Sequence, residues 1–253
     1  MPKNIVTCPR WIVFEGIDGC GKTSLVEEVR KKLAGTPYSG EQDRVKSTRE
    51  PSGSGLGESL KHPLTEGSLP STTQALFFLG LMSYHINTKV GGWLDDGRVV
   101  LGDRHYPSTL VYQGLTIKNQ WLWPIIQETT SYNGALPLVY ILDVPPEVAF
   151  AREYGDGSTD THWAQGEIER LSILRNRYCE MANQYGWIIV DADQNPKKLR
   201  SWFVTEIKRV VGAIPSPLVE PSEPTDTDMW KSFNVGTPVE YDLWDGEEAE
   251  CLE

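Results

Sequence analysis

The residues Gly16 to Thr23 read GIDGCGKT and complete the pattern G-x-x-x-x-G-K-[ST]. They follow an apolar segment typical of a strand and precede a segment with helical periodicity, which is the setting of a phosphate-binding loop. In such a loop the backbone N–H groups converge on phosphate oxygens, and the start of the helix adds partial positive charge. Lys22 would reach the β- and γ-phosphates, and the Thr23 hydroxyl would ligate Mg²⁺. The residues expected to bind ATP are Gly16, Ile17, Asp18, Gly19, Cys20, Gly21, Lys22, Thr23 and Ser24.

Asp103 and Arg104 follow a second apolar segment, Val99–Gly102. At the end of a second strand an acidic residue steadies the metal ion through water, so Asp103 is expected at the magnesium site together with Thr23. The planar guanidinium of Arg104 suits a second phosphate, because it binds two oxygens at once. The alternative is a surface ion pair between Asp103 and Arg104. The first interpretation predicts that two phosphate groups meet in one site.

Five short apolar or β-branched segments alternate with helical segments along the chain. Because they are continuously apolar, they predict the strands of a parallel sheet that helices cover on both faces. The sequence therefore predicts an α/β fold, a three-layer sandwich with a five-stranded parallel sheet. A capping box of Ser71 and Gln74 is expected to begin the helix over 75–86. The predicted strands are Trp11–Glu15, Val45–Thr48, Val99–Gly102, Leu138–Asp143 and Trp187–Asp191.

The 253-residue chain has a formal net charge of −11, which is concentrated near its end. Residues 213–253 contain eleven acidic residues and one basic residue, a net charge of −10, so residues 1–212 carry −1. This difference predicts a domain over 1–212 and an acidic, Pro-rich extension over 213–253, which either docks on the domain as a hairpin or stays in solvent. Because the domain has no basic excess and the extension would repel phosphates, a nucleic acid polymer is not an expected partner.

No apolar run approaches the ~18 residues needed to cross a bilayer, and the first residues lack the apolar core of a secretory signal. The cysteines show neither paired spacing nor a zinc pattern with the four histidines. Reduced thiols are therefore expected. The sequence predicts a cytoplasmic protein without a membrane partner.

Five motifs along the chain resemble those of thymidylate kinases. They read FEGIDGCGKTS, TREPSGSGLGE, LGDRHYPSTLVYQG, LDVPPEVAFAR and VDADQNP, stand in the order of the family and cover roughly residues 10–212. The resemblance implies a fold of the P-loop nucleoside monophosphate kinase type. It also implies transfer of the γ-phosphoryl group of Mg·ATP to dTMP, with ADP and dTDP as products, in a homodimer.

The acceptor of such a reaction is itself a phosphate, which is largely dianionic at neutral pH because its second pKa is about 6. No protein base is then needed to make the nucleophile. Catalysis must come from groups that align two polyanions and screen their repulsion. The residues expected to do so are Lys22, Asp103, Arg104 and Arg152.

The resemblance further implies how the acceptor nucleotide binds. Asp18 would accept a hydrogen bond from the sugar 3′-hydroxyl, and Arg49 would bind the acceptor phosphate beside Arg104. Phe78 would stack on the base, with core packing as the alternative, and Tyr112 would lie under C2′ and disfavour ribonucleotides. The expected acceptor-binding residues are Asp18, Arg49, Phe78, Met82, Arg104, Ser108, Thr109, Tyr112 and Gln113.

One departure from the family pattern concerns the base. Met82 stands four residues after Phe78, where the family has an arginine that donates to thymine O4. A thioether cannot make that bond and suits an apolar or bulkier 5-substituent. A 5-modified deoxyuridine monophosphate, such as 5-hydroxymethyl-dUMP, is therefore an alternative acceptor. His85, one turn further along, is an alternative donor to the base.

A second departure concerns the lid, which the resemblance places at about residues 153–167 and which contains no arginine. Family members with glycine after the loop aspartate, as Gly19 is here, usually carry catalytic arginines in that lid. Arg152 before the lid, or Arg175 and Arg177 after it, would then supply the charge. A nucleotide-dependent switch is a rival from another class, and it would consume ATP without an added monophosphate.

Overall fold

The computed structural model describes residues 5–34, 44–65, 69–155 and 162–212. The chain divides into two units, Met1–Pro215 and Ser216–Glu253, and the description below concerns the first. The predicted extension over 213–253 lies outside the described residues, as do residues 156–161 of the predicted lid.

Five parallel strands form one sheet in the order β2-β3-β1-β4-β5. The predicted three-layer α/β architecture is confirmed, with small shifts at the strand ends. The first strand begins four residues earlier than predicted, because Thr7 and Cys8 pair with Leu136 and Pro137 before a register shift. The strands are β1 (Thr7–Glu15), β2 (Val45–Arg49), β3 (Val99–Asp103), β4 (Leu136–Asp143) and β5 (Ile188–Asp191).

Helices connect the strands and cover both faces of the sheet. A π-helical segment, Ile86–Val90, continues the third helix, and a 3₁₀ turn, Gln113–Leu115, continues the fifth. Among the described residues, no helix is both long enough and apolar enough to span a membrane. The helices are α1 (Lys22–Ala34), α2 (Gly55–Thr65), α3 (Ser71–His85), α4 (Gly91–Asp95), α5 (Tyr106–Tyr112), α6 (Asn119–Thr130), α7 (Pro146–Tyr154), α8 (His162–Tyr185) and α9 (Pro196–Gly212).

The core lies on both sides of the sheet because successive strand residues point to opposite faces. In β1, Ile12 and Phe14 belong to the large cluster that includes α1, α8 and α9. Trp11 and Val13 face the other way and pack in a smaller cluster with residues of the π-helical segment and α4. Burial on both faces explains why the strands read as continuous apolar runs.

The predicted capping box at α3 is wrong. Pro70 occupies the N-cap position with an extended backbone, and no side chain caps the helix. Ser71 is therefore the first helical residue, one position too late to cap. The Gln74 backbone N–H donates to Pro70 O at 3.0 Å, and its side chain donates to Leu64 O at 3.3 Å. Gln74 thus links α3 to α2 instead of closing a cap.

Candidate active site

The loop after β1 passes very close to neighbouring backbone. A Cβ on Gly16 would lie 2.6 Å from Leu142 O, and one on Gly19 would lie 2.0 Å from Ala149 O. Both glycines also have positive φ, 140° and 76°. Only glycine avoids both the clash and the backbone strain at these positions. Tight packing against β4 and α7 therefore fixes the curvature that lets the loop N–H groups point inward.

Lys22 begins α1 and folds back across the loop. Its Nζ donates to Gly16 O at 3.0 Å and to Ile17 O at 2.8 Å, and the side chain is buried. The side chains of Ile17 and Cys20 are buried in the core, so these two residues offer only backbone to a ligand. The ammonium group is thus held at the loop, where a phosphate would meet it.

Thr23 and Asp103 meet at the carboxyl ends of the strands. The Thr23 hydroxyl donates to Asp103 Oδ2 at 2.5 Å, and Arg49 Nε lies 3.6 Å from the same oxygen. The parallel register places Arg49 opposite Asp103. Hydroxyl and carboxylate oxygens are ligands that Mg²⁺ accepts. The described ranges contain no cluster of three His, Cys, Asp or Glu side chains that could hold a metal. These residues therefore fit a magnesium ion that takes its remaining ligands from phosphate and water.

Arg104 points from the end of β3 towards the loop. It has a positive φ of 70°, unusual for a residue with a side chain. Its Nη2 donates to Asp18 Oδ1 at 2.5 Å and its Nη1 to Ser108 Oγ at 2.9 Å. The guanidinium also lies 5.6 Å from the centre of the Tyr112 ring, whose hydroxyl donates to Asp18 Oδ2 at 3.3 Å. Burial alone would raise the pKa of Asp18, but nearby positive charges, Arg104 foremost, hold it below its ordinary value.

Glu15 is a buried residue next to the site that the sequence analysis did not single out. It ends β1 fully buried, and its carboxylate accepts hydrogen bonds from His105 N at 2.7 Å, Ser108 N at 3.2 Å, Ser108 Oγ at 2.8 Å and Tyr178 OH at 2.9 Å. Burial raises the pKa of Glu15, whereas Arg104 and the donors oppose that rise. We call Glu15, Arg104, His105, Ser108 and Tyr178 the Glu15 network. It joins β1, α5 and α8 and fixes Arg104 from behind.

The phosphate-binding loop and the residues at the ends of β2 and β3 line one cleft of about 870 Å³. The loop with Lys22 forms one part of its wall, and Arg49 and Arg104 form another. Arg152, at the end of α7, also lines it. Cationic side chains from four elements thus face one space, which suits the binding of two phosphorylated molecules. The lining residues are Asp18, Gly19, Gly21, Lys22, Thr23, Ser24, Arg49, Asp103, Arg104, Arg152 and Glu153.

Comparison with known proteins agrees with this geometry. The family model for thymidylate kinase matches residues 14–201, which is most of the chain and includes the whole cleft. The chain belongs to the thymidylate kinase family. It is therefore a nucleoside monophosphate kinase, and the predicted class of enzyme is confirmed.

Individual thymidylate kinases match over nearly their full length. The chain is 31% identical over 207 residues to the enzyme of Prochlorococcus marinus strain NATL1A, covering 80% of this chain and 97% of that protein. It is 34% identical over 209 residues to the enzyme of Thermomicrobium roseum, covering 79% and 96%. The crystal structure of thymidylate kinase from Ehrlichia chaffeensis superposes with a TM-score of 0.60 at 22% identity, over 78% of this chain and 97% of the other. The last likeness shows the shared fold.

The residues that the thymidylate kinase pattern assigns to the base and sugar lie on α3, on α5 and in the 3₁₀ turn that follows α5. Phe78 is half-buried against the core, and Ser108, Tyr112 and Gln113 are also partly exposed. Met82 and Thr109 are only 3% and 2% exposed. Met82 and Thr109 were expected to contact the acceptor directly. The structure instead buries both side chains beneath the surface of the site.

His85 is not free to donate to a base, contrary to the alternative raised above. It is buried, and its Nδ1 pairs with the Glu50 carboxylate while its Nε2 lies 3.0 Å from Thr48 Oγ1. Burial raises the pKa of Glu50, and the contact with His85 opposes that rise. His85 thus connects α3 to Thr48 and Glu50, the residues on either side of Arg49.

Three arginines were candidates for the charge that the lid lacks, and the structure separates them. Arg175 makes a two-point contact with Asp143 at 2.6 and 2.8 Å. Arg177 donates to the carbonyls of Leu110 and Gly114. Arg152 lines the cleft and makes only a long contact of 3.4 Å with Asp193 among the described residues. Arg152 is therefore the candidate that the structure places at the site.

Arg170 is a further arginine near the site that the sequence analysis did not single out. It lies on α8 with its Nη2 3.8 Å from Asp18 Oδ2. Its position after the lid, one turn beyond Glu167, was visible in the sequence, but the contact joins residues that are far apart along the chain. Only the packing of α8 against the site shows that they meet.

Proposed function

We propose that the chain transfers the γ-phosphoryl group of Mg·ATP to dTMP and yields ADP and dTDP. The observation that carries this proposal is the single cleft in which Lys22 faces Arg49 and Arg104. Phosphoryl transfer between two nucleotides requires two polyanions to be aligned and screened in one space. The thymidylate kinases among the relatives support dTMP as the acceptor.

On the donor side, the loop N–H groups and Lys22 bind the β- and γ-phosphates. Thr23 and Asp103 would hold Mg²⁺, which would supply positive charge to the phosphate oxygens. Lys22 donates to the carbonyls of Gly16 and Ile17 in this structure, and it would exchange these contacts for phosphate oxygens when ATP binds. Arg152, on the open side of the cleft, stabilises the negative charge on the transferred group.

On the acceptor side, Arg49 and Arg104 bind the phosphate of dTMP. This phosphate is largely dianionic near neutral pH, so it attacks without a protein base. Arg104 is held by Ser108 and Asp18, at 2.9 and 2.5 Å, and so meets the phosphate in a fixed orientation. Orientation of this kind is a principal source of rate enhancement when the nucleophile needs no activation.

Residues beside Arg104 and on α3 bind the sugar and base of the acceptor. Asp18 accepts a hydrogen bond from the 3′-hydroxyl, and the ring of Tyr112 beside it limits space at C2′. Phe78 stacks on the base from α3. With Met82 buried and His85 engaged by Glu50, α3 offers no charged donor to thymine O4 from these two positions.

An assay of ADP release tests the proposed function. The purified chain with Mg·ATP is given dTMP, dUMP, 5-hydroxymethyl-dUMP, dCMP, UMP or thymidine, and kcat/KM is measured for each. We expect dTMP to have the highest value and thymidine to have none, because thymidine lacks the acceptor phosphate. If another monophosphate is strongly preferred, dTMP is the wrong acceptor. If ADP release does not depend on any acceptor, the proposal of phosphoryl transfer is wrong.

We further propose that the enzyme is a homodimer joined through α2 and α3. Leu56, Leu76 and Phe77 are 47%, 50% and 45% exposed and line one apolar groove of about 750 Å³ between the two helices. Contiguous exposed apolar surface of this kind marks interaction sites. Light scattering of the purified chain tests this proposal, and a single-chain mass at micromolar concentration would contradict it.

A further inference from the structure

The carboxylate of Asp18 lies between two guanidinium groups. Arg104 Nη2 is 2.5 Å from Oδ1, and Arg170 Nη2 is 3.8 Å from Oδ2. The two arginines come from different parts of the fold, the end of β3 and the middle of α8. The carboxylate is therefore held from two sides, while 42% of the Asp18 side chain stays exposed and can receive a ligand.

Arg170 is itself fixed in place. Its Nε and Nη2 contact the two carboxylate oxygens of Glu167 at 2.9 and 2.7 Å, one turn earlier on α8. This two-point contact sets the plane of the guanidinium and leaves Nη2 facing Asp18. Arg170 does not line the phosphate cleft, whereas Asp18 does. Asp18 is the cleft residue with which Arg170 makes an ion pair, so Asp18 links Arg170 to the site.

We propose that Arg170 is a positioning residue for the acceptor nucleotide: with Arg104, it holds the Asp18 carboxylate in the orientation that accepts a hydrogen bond from the acceptor's 3′-hydroxyl. This inference rests on the proposed function, in which Asp18 meets the acceptor sugar. Arg104 occupies Oδ1, and the Tyr112 hydroxyl approaches Oδ2 at 3.3 Å. A carboxylate oxygen has two lone pairs, so Oδ2 can still accept one hydrogen bond from a ligand.

The positive charge of Arg170 also favours the ionised form of Asp18, which accepts a charge-assisted hydrogen bond. Arg170 is among the charges that lower the pKa of Asp18. Removing Arg170 should weaken the one contact that depends on the 3′-hydroxyl and should leave the phosphate and base contacts intact.

The experiment compares two acceptors that differ only at that hydroxyl. Titration calorimetry measures the Kd of dTMP and of 2′,3′-dideoxythymidine 5′-monophosphate for the wild-type chain and for Arg170→Gln. We expect Arg170→Gln to raise the Kd of dTMP about tenfold, which corresponds to the loss of one charge-assisted hydrogen bond. The Kd of the 3′-deoxy analogue should be unchanged. In the kinetic assay KM for dTMP should rise while kcat and KM for ATP stay the same.

Two further variants separate this role from a structural one. Arg209→Gln removes an arginine in the same i,i+3 arrangement, with Glu206 on α9, and should change neither Kd. Arg170→Lys keeps the charge and should recover much of the affinity for dTMP. If Arg170→Gln weakens both acceptors equally, or weakens neither, the inference is wrong. The same holds if Arg170→Lys behaves like Arg170→Gln.

The outcome is distinguishable from a failure of the proposed function. If the wild-type chain binds a different deoxynucleoside monophosphate, dTMP is the wrong acceptor, and the comparison is made with that nucleotide and its 3′-deoxy form. The comparison of Kd with and without the 3′-hydroxyl then still tests whether Arg170 positions Asp18.

Discussion

Glu15 and Asp18 are carboxylates three residues apart, yet they lie in opposite surroundings. Glu15 is fully buried and accepts hydrogen bonds of 2.7–3.2 Å from three residues of the fold. Asp18 is 42% exposed and lies between Arg104, whose side chain is 18% exposed, and Arg170, whose side chain is 45% exposed. The hydrogen bonds of Glu15 are thus completed within the protein, whereas the exposed contacts at the open side of the cleft leave room for ligands.

Two ion pairs lie at the open side of the cleft, Arg152–Asp193 and Arg170–Asp18. We call them the rim pairs. Their distances are 3.4 and 3.8 Å, and their side chains are 36–45% exposed. Exposed pairs of this kind contribute little to stability. The same types of side chain therefore have two roles: substitution of the sealed residues Glu15 and His105 should cost stability, and substitutions in the rim pairs should cost function. Arg104 belongs to both regions, because it contacts Glu15 and lines the cleft.

The largest effect is expected at a rim pair. Arg152→Ala should lower kcat about 10³-fold, the usual effect of removing an arginine that stabilises the transferred phosphoryl group. ATP binding should survive, because the loop and Lys22 are untouched. Because the contact with Asp193 is long and exposed, the midpoint of urea unfolding should not change. Steady-state kinetics, ATP titration and urea unfolding give the three readings.

Arg175→Ala is the control for that variant. Arg175 was an alternative candidate in the sequence, but it is engaged by Asp143 at 2.6 and 2.8 Å. Its removal should leave kcat unchanged. A normal kcat in Arg152→Ala, or a loss confined to Arg175→Ala, would reverse the assignment of the two arginines.

A smaller effect, on stability, is expected in the Glu15 network. Glu15→Gln places an amide NH₂ among groups that donate to Glu15, and it removes the buried carboxylate that lies 4.0 Å from Arg104. Breaking a buried charged contact costs about 3 kcal/mol. Urea unfolding should show this loss. In the control Glu27→Gln, which removes an exposed pair with Arg30, the loss should be about 0.5 kcal/mol or less. Equal stabilities of the two variants would erase the contrast between network and rim.

The sequence predicted the parts of this molecule in which chemistry and local order coincide. The loop from Gly16 to Thr23 carries its function in a contiguous pattern, and continuous apolar runs gave the five strands. Ser71 shows the limit of local patterns, since one residue of displacement turned a predicted cap into a first helical residue.

Glu15 and Arg170 could not be found in the same way. Their partners lie far away along the chain: Tyr178 for Glu15 and Asp18 for Arg170. Glu15 looked like an ordinary end of a strand. The nearest signal was a charged residue at the end of an apolar run, with a second strand end, Asp103-Arg104, expected beside it. Such contacts depend on how α5 and α8 pack against the sheet, which no single segment encodes.

The smallest effect is expected at His105 and depends on pH. His105 is 3% exposed, its ring lies edge-on to Trp11 at 4.9 Å, and neither ring nitrogen has a hydrogen-bond partner among the described residues. Burial, with a smaller contribution from the charge of His85, lowers the pKa of His105 to about 3. In the unfolded chain its pKa is about 6.5.

Below pH 6.5 the unfolded chain therefore binds a proton that the folded chain excludes, and the folded state loses stability as the pH falls towards 3. Between pH 7 and pH 5 this amounts to about 2 kcal/mol. His105→Phe keeps the ring packing and the backbone N–H that Glu15 accepts, but it cannot titrate. Urea unfolding at the two pH values should show a fall in the wild type that is about 2 kcal/mol larger than in His105→Phe. If the two fall equally, water or a proton reaches His105, and the Glu15 network is not the sealed region that separates it from the rim.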